Sequence, residues 1–250
     1  MRVWFKLVGL IVLFMAPQFF FSLASIPVGK WLHLSPTSIE LMSWVLFLSN
    51  LLAATLLFST RILSWRATFR KYPFRASDFC PLLLLLLLSI IPVNGLTELL
   101  QLEDTMKTSF AGIMTLPLGV LSIVVVGPLV EELIFRKAFI DTLLQANYKP
   151  VWAMLISSLA FGIIHANPAQ IPGACLLGLL FGWIYWHTKS IWIVWALHAV
   201  NNLIGVIGFY IWDEDMQLQD LLGQTGMPVA MLLSAAVFAV LFGWFRKRWA

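Results

Sequence analysis

Residues 121–136 read LSIVVVGPLVEELIFR: ten residues that are almost wholly apolar, then two glutamates, three more apolar residues and an arginine. Such a stretch is too apolar for a solvated surface. It is also too charged for lipid, because an ionisable side chain within a membrane span costs roughly 3 kcal/mol on insertion scales unless it is paired or faces a wet cavity. The run therefore predicts a membrane helix whose neighbours enclose its carboxylates. The rest of the chain agrees. Of 250 residues, 60% are hydrophobic and 11% charged, whereas soluble domains carry about 25% charged residues. This composition excludes a secreted disulfide scaffold and a soluble cofactor domain, and it leaves nucleic-acid binding without support.

A helical span needs about 20 apolar residues. Runs of that kind fall at 4–27, 39–60, 80–96, 110–134, 151–165, 171–187, 190–211 and 228–245, so the expected fold is all-α, a polytopic bundle of about eight transmembrane helices over 1–250 in a single integral membrane domain. The connecting charges orient it. With the N terminus inside, Arg2, Lys6, Arg61, Arg66, Arg70, Lys71, Arg75, Arg136, Lys137, Lys149, Lys189, Arg246, Lys247 and Arg248 all fall on the inner side, leaving only Lys30 and Lys107 outside. Basic loops stay in the cytoplasm, so both termini are expected there. Glu98, Glu103, Asp104, Asp213, Glu214, Asp215 and Asp220 gather on the other side. The net charge of +4 is read as this topological signal, with the lipid bilayer as the partner and no nucleic acid. The first run also resembles a signal peptide in its basic start, but its apolar stretch is long for that role. Gly178 and Gly182 form a GxxxG expected to mark a close helix-packing face, and Cys80 and Cys175 lie in apolar stretches where a thiol acts as a small hydrophobe.

The polar residues inside these runs are few and fall into three groups. Glu132 and Arg136 are spaced i and i+4, which puts them on one helical face with the glutamate N-terminal to the cation, the better orientation for a pair. Glu131 points about 100° away and is expected to be available to another group. Taken alone, the two glutamates equally suit the end of an interfacial helix. Phe161-Gly-Ile-Ile-His165 closes the fifth run, and His198-Ala-Val-Asn201-Asn202 lies in the seventh, with His198 and Asn202 again at i and i+4. A carboxylate and an imidazole can hold a water and take its proton. An imidazole N–H and an amide can donate to the oxygen that becomes negative when a peptide carbonyl is attacked. No GxSxG or HExxH motif is present, so water is the expected nucleophile.

Glu131-Glu132-x-x-x-Arg136, Phe161-x-x-x-His165 and His198-x-x-x-Asn202, in this order on apolar segments, resemble the three motifs of the CPBP (Abi) family of intramembrane endopeptidases, which includes the type II CAAX prenyl proteases. The resemblance covers about 110–210, expected to be the catalytic core. It implies a glutamate-dependent peptidase in which Glu131 and His165 activate water and His198 and Asn202 form the oxyanion hole. Glu132, Arg136 and Phe161 then support the site, with no cofactor and no metal. It implies a peptide or protein substrate at the membrane, which in the prenyl-protease branch carries a lipidated cysteine. Three other readings stay open. Glu131, His165 and His198 could instead ligate a zinc ion, which accepts three protein ligands and a water; the chain could be a scaffold or immunity protein without activity; or it could be a transporter. One depth argument stands against the peptidase reading. His165 lies about 21 Å along its helix from Val151, whereas a run ending at 134 puts Glu131 near the membrane edge.

Overall fold

The structure, a computed structural model, describes residues 2–35, 37–70, 76–212 and 217–249. Lys71 and Arg75 of the inner basic set, and Asp213, Glu214 and Asp215 of the outer acidic set, lie outside the described residues.

The described chain is helical, and its helices follow the apolar runs. They are α1 (Arg2–Leu32), α2 (Ile39–Ser59), the short α3 (Trp65–Thr68), α4 (Phe79–Leu99), α5 (Lys107–Met114), α6 (Pro117–Gln145), α7 (Pro150–Ile163), α8 (Ile171–Thr188), α9 (Ile191–Ile211) and α10 (Leu218–Arg248), with one further 3-10 turn at Ala76–Asp78. Six of these, α1, α2, α4, α6, α9 and α10, are long and apolar enough to cross a membrane. α7, at 14 residues, covers only about 21 Å of a hydrocarbon core about 30 Å thick. α8 has 18 residues. Eight apolar helices thus stand where eight runs were expected, of which six have spanning length and hydropathy.

The fourth run is the one misjudged. It was expected at 110–134. Instead the chain turns at Thr115-Leu116, and Pro117, suited to a first helical turn because it needs no N–H donor there, starts a helix that continues to Gln145. Lys137, counted among the inner loop charges, lies in the helix instead and pairs with Asp141 at 2.8 Å. Glu131 therefore sits mid-helix, fourteen residues before Gln145, about 21 Å from that end. The same length of helix separates His165 from Val151, so helix length no longer sets the two residues apart.

Packing follows chemistry. Leu82, Leu85 and Leu86 are buried while Leu84 and Leu87 face outward, so the leucine run of α4 serves both the core and the lipid side. Phe5, Phe19, Leu232 and Val240 are among the residues most exposed on the outside, an apolar surface that suits a bilayer. Leu7, Leu10 and Phe14 of α1 are buried in the core, with the Phe14 ring edge-on to Phe135 at 6.0 Å. The GxxxG of α8 is a close-packing face: a Cβ on Gly178 would lie 3.0 Å from the Ser158 side chain and 3.2 Å from the Phe161 ring.

Contacts at the two ends of the bundle keep the predicted sides together. Trp4 packs edge-on against Tyr148, and Arg248 bonds Asp78 at 2.6 Å, joining segments read as inner. At the opposite end the Glu98 carboxylate accepts from the backbone N–H groups of Leu218 and Gln219 at 2.9 and 3.0 Å. It caps α10, where an anion is favoured by the helix dipole. Asn167 donates to Asp104 at 2.8 Å on this side.

Candidate active site

The site is built on an irregularity in α6. Residues Ser122–Val126 and Glu132–Ile140 form π turns, in which hydrogen bonds reach five residues instead of four. Gly127 donates back to the Ser122 carbonyl. A Cβ at Gly127 would stand 2.8 Å from that oxygen, so only glycine passes there without a shift. π turns tend to occur where a helix carries function, and both carboxylates follow directly.

Glu132 has no exposed surface and Arg136 about 1%. The expected pair forms, Arg136 Nε lying 3.0 Å from Glu132 Oε2. Its alignment is not that of a good hydrogen bond, and among the described residues no guanidinium nitrogen has an acceptor. The cation instead faces rings: its centre is 4.3 Å from the Phe161 centroid and 5.7 Å from that of Phe181, where the electron-rich faces attract it. Phe161, chosen from its motif, thus supports Arg136. Phe181 was missed, its only signal being its place on the α8 glycine face.

His198 has a role that the i, i+4 spacing did not reveal. Its Nδ1 donates to Glu132 Oε1 at 2.8 Å, and its Nε2 lies 3.6 Å from Glu131 Oε2. The first is a hydrogen bond; the second is too long for one. The imidazole therefore sits between the two carboxylates, with its ring 5.8 Å from Phe161 and 5.2 Å from Phe181. Glu132 serves both Arg136 and His198. This buried chain of contacts overturns the reading of the two glutamates as the solvated end of an interfacial helix. Glu131, with about a fifth of its side chain exposed, is the more accessible carboxylate.

His165 follows the end of α7. Its Nδ1 donates to the Phe161 carbonyl at 2.7 Å, and since a carbonyl only accepts, neutral His165 carries its lone pair on Nε2. It is only partly buried, and it makes no direct hydrogen bond or ion pair with Glu131 among the described contacts. Asn202 Nδ2 donates to the Ile123 carbonyl at 2.9 Å, and Asn202 Oδ1 accepts from Asn201 at 3.2 Å. As to the zinc reading, no three His, Cys, Asp or Glu side chains gather as a metal-holding group among the described residues.

The arrangement defines a class: an all-helical polytopic membrane protein with a carboxylate–imidazole–guanidinium cluster buried in its middle helices. Residues 113–204 match the model of the family described as Type II CAAX prenyl endopeptidase Rce1-like, and every motif residue named above lies within them. Among relatives, a protein of Bacillus subtilis (strain 168) named as a membrane peptidase, YdiL, is 33% identical over 118 residues, covering 44% of this chain and 48% of the relative. The membrane-embedded CAAX protease MroQ of Staphylococcus aureus (strain USA300) is 29% identical over 97 residues, 37% of this chain and 39% of the relative. The matches span less than half the length of either relative. No solved structure matches the chain.

Proposed function

We propose that this chain is an intramembrane endopeptidase of glutamate type that hydrolyses a peptide bond of a membrane-associated protein, lipidated substrates included, with both termini in the cytoplasm. The observation that carries the reading is His198 held between Glu131 and Glu132. The match of the same residues to the family model supports it, and the names of the two relatives point to the same activity.

Each group takes a role that its surroundings permit. The Glu131 carboxylate and the lone pair of His165 Nε2 both accept from one water, which they orient toward the substrate carbonyl. As the water oxygen bonds to the carbonyl carbon, Glu131 takes its proton. Oxygen then carries the negative charge, and preorganised donors lower the barrier at this point. His198, held by Glu132 through Nδ1, leaves Nε2 facing the site and donates from there when the ring carries both protons. Asn202 Nδ2 has a second hydrogen beyond the one given to Ile123. When the C–N bond breaks, the proton on Glu131 passes to the leaving amine, restoring the carboxylate. Glu132 and Arg136 hold His198 and do not touch the substrate.

The test is a comparison, by mass spectrometry, of peptides released from membranes of cells carrying the wild-type chain or Glu131→Gln. New protein ends that depend on Glu131 are expected. Identical peptide sets, with both proteins inserted at equal abundance, refute the peptidase reading.

A further inference from the structure

The backbone ladder of α6 is broken beside the site, and two side chains of α9 bond carbonyls just before the break. Gly127 N–H reaches the Ser122 carbonyl five residues back, so at the same spacing the next bond would run from residue 128 to the Ile123 carbonyl. Residue 128 is proline and has no N–H. The Ile123 carbonyl accepts from Asn202 Nδ2 at 2.9 Å instead. Two residues on, the Val125 carbonyl accepts from the indole Nε1–H of Trp195, also at 2.9 Å. A backbone carbonyl without a donor costs several kcal/mol in the membrane interior, so the bond to Ile123 is a strong reason for α9 to dock where it does, and the Trp195 bond adds a second anchor beside it.

Trp195, His198 and Asn202 are spaced i, i+3 and i+7, on one face of α9. The outer two hold carbonyls upstream of Gly127-Pro128, while the imidazole between them meets the carboxylates downstream of it. We propose that Trp195 is a positioning residue of the site: with Asn202 it clamps α9 across the proline break of α6 and thereby sets the His198 imidazole against Glu131 and Glu132. This rests on the peptidase reading for its catalytic consequence, but not for the clamp itself. Nothing in the charge or motif pattern of the sequence singles out Trp195.

The test uses Trp195→Phe, which keeps an aromatic ring and removes the N–H. Pro128→Ala is a second variant: it restores a backbone donor that competes with Asn202 for Ile123. Trp192→Phe is the control: a half-exposed ring tilted against Phe69 and edge-on to Trp195 at 5.6 Å, which keeps an aromatic ring beside Trp195 and has no hydrogen bond to α6 among the described contacts. In purified full-length protein labelled with ¹⁵N-histidine, Trp195→Phe and Pro128→Ala shift the imidazole nitrogen signals of His198, assigned by their loss in His198→Gln, and Trp192→Phe leaves them in place. On a peptide cleaved by wild type, kcat falls about tenfold or more with KM within about twofold, because a misplacement near 1 Å costs up to about 10²-fold. Unshifted His198 signals in both clamp variants, or unchanged kcat in both, overturn the proposal. If wild type cleaves no peptide, the peptidase reading fails while the nitrogen signals still decide the clamp.

Discussion

Removing the Glu132 carboxylate separates structural from chemical roles most sharply. Glu132→Ala leaves the Arg136 guanidinium fully buried, its ion pair at 3.0 Å gone and the Phe161 and Phe181 rings against it. Stranding one member of a buried pair costs about 3–5 kcal/mol. In a chain of this length each kcal/mol lowers the melting temperature by about 2–4 °C, so a fall of about 10 °C is expected in detergent. Glu132→Leu combined with Arg136→Met replaces the pair with apolar groups, a change that is often neutral or stabilising. The double variant should therefore melt within a few degrees of wild type. It should still be inactive, because His198 Nδ1 has lost its acceptor at 2.8 Å. Differential scanning fluorimetry and a peptide-cleavage assay read the two effects separately. A single variant that melts like wild type refutes the buried pair, and an active double variant refutes the role given to Glu132.

Three further outcomes are expected. His165→Ala abolishes turnover with little change in melting, since its imidazole is only partly buried and bonds one carbonyl; retained cleavage removes it from the mechanism. Asn202→Ala lowers kcat by about 10²-fold or more, as loss of an oxyanion donor does, whereas Asn201→Ala, which removes only a donor to the Asn202 oxygen, costs less; the reverse ranking in a kinetic assay means the wrong asparagine was assigned. Gly178→Leu forces atoms into the 3.0 Å gap to Ser158 and lowers the melting temperature by several degrees, as overpacking costs about 1–3 kcal/mol; an unchanged melt contradicts the close α7–α8 contact.

The helices were legible because lipid imposes a simple rule: apolar length and basic loops suffice to place seven of the eight runs to within a few residues, apart from the N-terminal extension of α10. The exception was α6. Its C-terminal half carries Arg136 and Lys137, and composition reads those charges as a loop when one is a buried cation and the other pairs along the helix with Asp141. The Glu132–Arg136 pair followed from spacing alone, because i, i+4 contacts are local. His198 meeting Glu132 was not legible, since that contact joins helices 66 residues apart and depends on how α9 crosses α6. The same is true of the carbonyls held by Trp195 and Asn202: the Gly127-Pro128 pair signalled a break, but only the fold shows which side chains bond the carbonyls before it.

The most direct measurement is cleavage of membrane-associated peptides by the purified protein in lipid vesicles, comparing wild type with Glu131→Gln, each with and without a strong chelator. The account predicts hydrolysis by wild type that the chelator leaves undiminished, and none by Glu131→Gln inserted at equal density. Hydrolysis that survives Glu131→Gln, or that stops in chelator and returns with added zinc, contradicts it.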